Sequence, residues 1–391
     1  MRKMNTFKLG FLQVWHRRSR LFIQWLMVVL GLGLISGFIT LQASANRQLE
    51  KDLGSIDLVW CAKGSPLRGL LANVYHIDNP SGNISLDEVE QYARNPMVAE
   101  VTRIAYGDVY RAKRILGADS SWRDLYALEL AEGDWNAKPM EVVLSSSLAE
   151  QLELSIGDVF HGQHGAEEAA EEHHEDYKVV GIYKNTGTVA DRVLLTQIQS
   201  VWDVHHVDAE NLEITAALVR TNSPMALFQL PRAINQNSTF QAVMPSIEVS
   251  RVYELLSSSE QVFFALSILF LILGGLSITI TLYETLRAQQ FDHTLLRVFG
   301  LSLWRLALLI WTQTILLMVS AWLVGIGLIK ALLYFSRDAI LNAQGFYVEF
   351  NGIDTIDLLL LGVAVVSGIL IAFPAVVRIF GSSIHQNLKN A

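Results

Sequence analysis

The sequence predicts an α-helical membrane protein with four transmembrane helices plus a large α+β extracytoplasmic domain. Three observations point there. Four runs, 21–46, 261–283, 306–329 and 358–377, hold no Asp, Glu, Lys or Arg. Lys and Arg gather at the ends of those runs mainly on one side. The long stretch 47–260 mixes strand-like and helix-like patterns in place of further apolar runs. Composition agrees: 51% of the 391 residues are hydrophobic and only 17% are charged, a balance that soluble or disordered chains rarely show. A formal net charge of −8 argues against a general nucleic-acid binder. The single cysteine, Cys61, excludes an intramolecular disulfide and a finger-type metal site.

Residues 1–20 form a cytoplasmic amphipathic segment, with Phe7, Phe11, Val14 and Trp15 on one stripe beside Arg17 and Arg18. Residues 21–46 are the first span, since a helix needs about 20 residues to cross about 30 Å of hydrocarbon. Ala43-Ser44-Ala45 resembles a cleavage site, but the apolar run before it exceeds the roughly 7–15 residues of a signal peptide, so the segment reads as an uncleaved anchor. Arg2, Lys3, Lys8, Arg17, Arg18 and Arg20 precede it. Arg287, Arg297 and Arg305 lie between the second and third spans, and Arg378 and Lys389 follow the fourth. Basic residues mark the cytoplasmic side. Both termini are therefore expected in the cytoplasm of a multi-pass inner (plasma) membrane protein, with 47–260 and the loop around 331–357 outside.

Within 47–260, the segments Ile56–Cys61, Glu141–Leu144, Tyr177–Tyr183, Arg192–Leu195 and Ile214–Arg220 read as strands. Ser85–Asn95, Ser146–Leu152 and Pro224–Gln236 have helical spacing. Ser85 with Glu88 makes a capping-box pattern, and Asn95-Pro96 ends that helix. The mixture suggests an α+β domain, in one body or two lobes. Glu254–Glu260 can continue as one helix into the second span. Residues 261–391 form the three-helix remainder, with a cytoplasmic loop at 284–305.

Much chemistry is missing. There is no G-x-x-x-x-G-K-[ST], and no Gly-Lys pair at all, so the chain has no P-loop. G-x-S-x-G and H-E-x-x-H are absent too, and no triad supports a membrane enzyme. The serine runs 145–147 and 257–259 read as a helix start and a polar linker. Span centres free of charge argue against a proton relay. Gln313 and the small residues Gly274, Gly275, Ser277, Gly325, Gly327, Ser367 and Gly368 suit close helix packing.

Two segments stand out. From Arg287 to Arg305, Phe291, Leu295, Val298 and Phe299 share one helical stripe that Gly300 ends. Such a helix lies on a membrane or docks in a partner's groove. Between His161 and Asp176 stand His161, His164, His173 and His174, with Glu167, Glu168, Glu171, Glu172, Glu175 and Asp176, and no Lys or Arg. Imidazole and carboxylate suit zinc. Binding that needs neutral imidazole weakens below about pH 6.5. The tract reads as a mobile loop between strands, serving either as a metal collector or as a solvated acidic loop with incidental histidines.

Several stretches resemble the FtsX/MacB-type permeases of ABC transporters, which have one span, a large extracytoplasmic domain and three further spans. Asp292 to Gly300, with Leu295-Leu296-Arg297-Val298-Phe299-Gly300, is similar to the family's cytoplasmic acid-x-x-x-Leu-Arg-x-Leu-Gly element. Glu141–Phe160 resembles its strand–helix–Gly-Asp segment. Ala62–Leu67, Tyr75-His76-Ile77-Asp78, Val179–Ile182 and Thr186-Gly187-Thr188 with Asp191-Arg192 resemble a subgroup, and Phe373-Pro374-Ala375 matches the end of the last span. Gln289 and Gln290 stand where relatives often carry an Arg-rich run.

The resemblance implies a non-enzymatic permease subunit that transmits motion to its periplasmic domain. It implies a separate ATPase that holds the ATP, contacted through Phe291, Asp292, Leu295, Arg297, Phe299 and Gly300. It also implies a second permease copy, expected as a homodimer in membrane lipid, and a periplasmic binding or effector protein. No cofactor on this chain and no nucleic acid are expected. Similar His-rich insertions in some relatives point to zinc handling, with His161, His164, His173 and His174 as ligands. The alternative is an FtsX-like regulator that activates a periplasmic partner such as a cell-wall hydrolase.

Overall fold

A computed structural model describes residues 18–163, 172–207, 211–288, 300, 302–344 and 352–381. The chain divides into two compact units, one spanning Asn46–Glu254 and one made of the segments on either side. It combines four helices long and apolar enough to cross a membrane with a mixed α/β unit, the predicted fold class.

In the α/β unit, β1 (Leu58–Ala62) is apolar without alternation because it is buried on both faces. It pairs antiparallel with β11 (Ala216–Thr221) and β12 (Phe240–Val243). β11 pairs with β3 (Val98–Tyr110), which turns back as β4 (Lys113–Ala118) through Arg111 and Ala112, both at positive φ. Two central residues at positive φ match the right-handed twist of a tight hairpin. β9 (Leu194–Gln197) runs parallel to β4 and meets β6 (Glu141–Ser145) at Val143↔Leu195. β8 (Glu172–Tyr183) runs parallel to β6, and β5 (Leu130–Gly133) closes that edge. β7 (Val159–Gln163) forms a hairpin with β8 and touches β3 at Val109↔Gln163. Among the described residues these ten strands make one sheet, and β2 (Ile84–Ser85) with β10 (Glu213–Ile214) make a small second one. One sheet runs through the unit, joined between β6 and β9 by the single pair Val143↔Leu195.

Helices α2 (Pro66–Asn73), α3 (Leu86–Ala93), α4 (Ser121–Leu125), α5 (Ser146–Leu152), α6 (Ile198–Val204) and α7 (Ala226–Asn237) connect or cover these strands. Trp60, Trp122, Tyr177, Tyr183 and Phe240 are fully buried. Burying a large apolar side chain contributes roughly 1.5–3 kcal/mol. Helix α5 starts because Ser145 Oγ accepts the Leu148 N–H at 3.2 Å, and it ends on Glu153 in the left-handed region.

Two expectations change. Ser85 makes no side-chain cap, although it precedes the helix in extended conformation as the last residue of β2. Glu88 instead accepts from Thr239 N at 3.0 Å and from Thr239 Oγ1. The His/Glu tract is not simply a loop: His161 lies on β7, and His173 and His174 lie on β8. His164 falls outside the described residues.

The membrane helices are α1 (Arg18–Leu53), α8 (Pro245–Ala288), α9 (Leu303–Gln344) and α10 (Thr355–Gly381), of which the second unit holds α1 up to Ala45, α8 from Leu255, and all of α9 and α10. Each exceeds its charge-free run, since a charge ends the run without ending the helix. α1 buries Val28, Val29, Leu32 and Ile35 on one stripe and exposes Phe22, Ile23, Leu26 and Leu30. Small residues let the helix backbones approach: a Cβ on Gly325 would lie 2.7 Å from Val29 O, and one on Gly33 would lie 3.1 Å from Gly325 O. Gly274, Gly275 and Gly368 sit similarly against Val28, Ile371 and Met318. Such contacts suit lipid, where water drives no helix association. Gly327 faces open space and does not share this role.

Candidate functional site

The most developed polar arrangement in the α/β unit is where the C-terminal turns of α1 enter it. Past the charge-free run, α1 presents Gln48, Leu49, Asp52 and Leu53. Leu49 and Leu53 pack against the main apolar core. Gln48 Nε2 donates to Asp52 Oδ1 at 2.7 Å and to the Gly187 carbonyl at 2.9 Å. Arg192 Nη2 lies 3.0 Å from Asp52 Oδ2, with side-chain exposures of 24% and 3%. Tyr75 OH donates to Leu49 O at 3.1 Å, and Tyr126 OH donates to Asp52 O at 3.0 Å. The helix end is thus held through side chains and backbone together.

The opposing loop is built to receive it. The Asp191 carboxylate accepts from Thr186 N at 2.9 Å, Thr186 Oγ1 at 3.0 Å and Gly187 N at 2.6 Å. This turn sets Gly187 at φ +69, and a Cβ there would lie 2.7 Å from Lys51 Nζ. The positive φ favours glycine, and the Lys51 ammonium end can swing aside. Thr188 Oγ1 accepts from Ala190 N at 3.3 Å and starts the 3-10 turn Val189–Arg192, which delivers Arg192 to Asp52. The Thr-Gly-Thr and Asp-Arg pattern was visible in the sequence. Its partners Gln48 and Asp52 were missed. Their signal is an i, i+4 polar pair on a helix that continues an apolar span.

Beside this joint, His76 sits at φ +56, with Nδ1 2.5 Å from Tyr106 OH. Tyr106 donates its own proton to Ala72 O, so His76 Nδ1 carries the hydrogen it shares with Tyr106. Burial, and then the charges of Arg114 and Arg192, push the His76 pKa down to about 3. His76 is therefore a neutral structural donor.

The sequence-derived sites are placed as follows. His161 on β7 faces Asp176 on β8, with Nδ1 3.3 Å from Oδ1 and both side chains exposed. The side chains of His173 and His174 lie outside the described residues, as does His164. Among the described residues no group of three His, Cys, Asp or Glu is gathered to hold a metal. Of the cytoplasmic docking residues, Phe291, Asp292, Leu295, Arg297 and Phe299 lie outside the described residues. Gly300 is an exposed turn residue at φ +89.

A multi-pass chain whose first membrane helix runs on into a mixed α/β domain belongs to a recognisable class. The chain matches the family described as MacB-like periplasmic core domain over residues 22–237 and belongs to it. It is a member of the MacB/FtsX-type ABC transporter permeases. No curated protein matches it. Among solved structures it is similar to the periplasmic region of MacB from Actinobacillus actinomycetemcomitans. That match has 12% identity and a TM-score of 0.35, and covers 52% of this chain and 94% of the other. It is also similar to the extracellular domain of the noncanonic ABC-type transporter YknZ from Gram-positive bacteria. There the identity is 14% and the TM-score 0.32, with coverage of 48% and 98%.

Proposed function

We propose that this chain is the permease subunit of an ABC transporter whose separate ATPase drives motion of the extracytoplasmic domain. The observation that carries the reading is that α1 continues without a break from an apolar span to Leu53, where Gln48 and Asp52 engage the α/β unit. Helix α8 likewise runs from Pro245 through the second span to Ala288, next to the proposed docking loop. In this reading residues 291–300 seat in a groove of the ATPase, with Phe291, Leu295 and Phe299 as apolar contacts and Asp292 and Arg297 as polar ones. Two copies work together, and both termini are cytoplasmic. In the same reading His161, His164, His173 and His174 collect zinc, and the transporter serves metal handling.

The test is co-purification of the full-length chain with its ATPase, with and without Leu295→Asp. Burial of such a side chain contributes roughly 1.5–3 kcal/mol, so the variant is expected to lose the ATPase or its stimulated hydrolysis while still inserting in the membrane. Unchanged co-purification and unchanged stimulated hydrolysis would refute the docking role.

A further inference from the structure

At one end of the membrane unit, three helices share a polar network that closes on itself. Lys330 of α9, Asp357 of α10 and Ser36 of α1 are 9%, 2% and 1% exposed. Lys330 Nζ lies 2.6 Å from Asp357 Oδ2 and 3.0 Å from Asp354 Oδ2, and it also donates to the Gly352 carbonyl. Ser36 Oγ donates to Asp357 Oδ1 at 2.7 Å. Asp354 N donates to Asp357 Oδ2 at 2.9 Å, the return bond of a capping box at the start of α10. Trp322 of α9 donates its indole N–H to Asp357 O at 2.8 Å.

An ammonium offers three donors, and three acceptors take them. Both oxygens of the Asp357 carboxylate are engaged. An ionisable pair inside a membrane segment usually marks a path for ions or protons, but here the cation spends all its donors within the protein. Its geometric effect is to tie Ser36, Lys330 and Asp357 together, one helix each. One residue away from both Ser36 and Lys330, Gly37 lies so close to Ile329 that a Cβ on it would be 2.4 Å from Ile329 Cγ1. That approach is bought with small residues and has no hydrophobic drive in lipid. A buried ion pair serves such a contact by fixing one arrangement of the helices.

We propose that Ser36, Lys330 and Asp357 form a clasp that holds the first, third and fourth membrane helices together as one body at this end. The second span contributes no side chain to it among the described residues. One consequence rests on the coupling reading above: α1 then carries movement of the third and fourth helices to the Asp52–Arg192 joint.

Disulfide trapping in native membranes tests the clasp. In a full-length Cys61→Ala parent, Gly37→Cys and Ile329→Cys are introduced. Their Cβ separation of 3.8 Å suits a disulfide. The parent is expected to cross-link readily under mild oxidation. Neutralising the clasp with Lys330→Met and Asp357→Asn together removes the buried pair, leaves only the part-exposed Asp354 carboxylate charged, and should slow cross-linking about tenfold, the scale of one good interhelical polar contact. Ser36→Ala, which removes only the link to α1 and keeps the ion pair, should slow it by a smaller factor. Parent-like rates in both variants, or a parent that does not cross-link, would overturn the clasp. Leu295→Asp should leave the cross-linking rate unchanged, so failure of the docking reading is read separately.

Discussion

Asp52 and Arg192 differ in how much water they keep. The Asp52 side chain is 3% exposed and Arg192 is 24% exposed. Burial raises the Asp52 pKa to about 6 even beside Arg192, so without Arg192 the carboxyl takes up a proton near neutral pH and the loss is that of a charge-assisted hydrogen bond. Arg192→Met should therefore lower the unfolding stability of the full-length chain by roughly 1.5–3 kcal/mol. The double variant Arg192→Met/Asp52→Leu should recover most of that loss in a double-mutant cycle. Additive losses would show that the two side chains do not act as a pair. His76 makes a second prediction. Its pKa is held near 3 in the folded unit, while the unfolded chain protonates it near 6.5. Its contribution is fully present above about pH 6.5 and is lost as pH falls from there toward 3. His76→Asn, which tolerates the left-handed backbone, should flatten the fall in melting temperature between pH 7 and pH 4. An unchanged pH profile would show that His76 is not the group that titrates.

Among the elements, helices and strands were readable wherever one local signal decided them. Ser146–Leu152 has its N-cap, apolar spacing and left-handed end within a few residues, and the sequence reading matches it. Ser85 with Glu88 carried a similar signal, yet Ser85 makes no cap bond and the Glu88 carboxylate accepts from Thr239. Long-range partners leave no local trace. Gly187 and Arg192 stood out as a pattern, but Gln48 and Asp52 lie 139 and 140 residues away from them. Lys330 and Asp357 likewise looked like the ends of two charge-free runs, and their pairing needed the fold. The hairpin β7–β8 shows the reverse case, a tract read as loop because Glu, Gly and Ala are poor strand formers, although register pairs such as His161↔Asp176 extend the ladder into it. If the hairpin collects zinc, the full-length chain should bind zinc at pH 7.5 and lose at least about tenfold in affinity at pH 5.5, because the imidazoles must be neutral. Replacing His161, His164, His173 and His174 with Ala should remove that binding. Equal zinc titrations for both proteins would leave the hairpin a solvated acidic surface.

For the whole molecule, family membership, four apolar helices and a mixed sheet define a permease that contains no P-loop of its own. The proposed mechanism asks only that nucleotide-driven movement in the cytoplasm reaches the extracytoplasmic domain through helices. Phe228 on α7 is 71% exposed and serves as a labelling position once Cys61 is replaced by Ala. The most direct measurement is the spin-label distance between Phe228→Cys positions of two copies in the complex with the ATPase, with and without ATP bound to a hydrolysis-deficient ATPase. A distance distribution that shifts with ATP, and stops shifting when Leu295→Asp is added, is the expected result. A distribution that ATP leaves unchanged, or that shifts equally in the Leu295→Asp variant, would contradict force transmission through this chain.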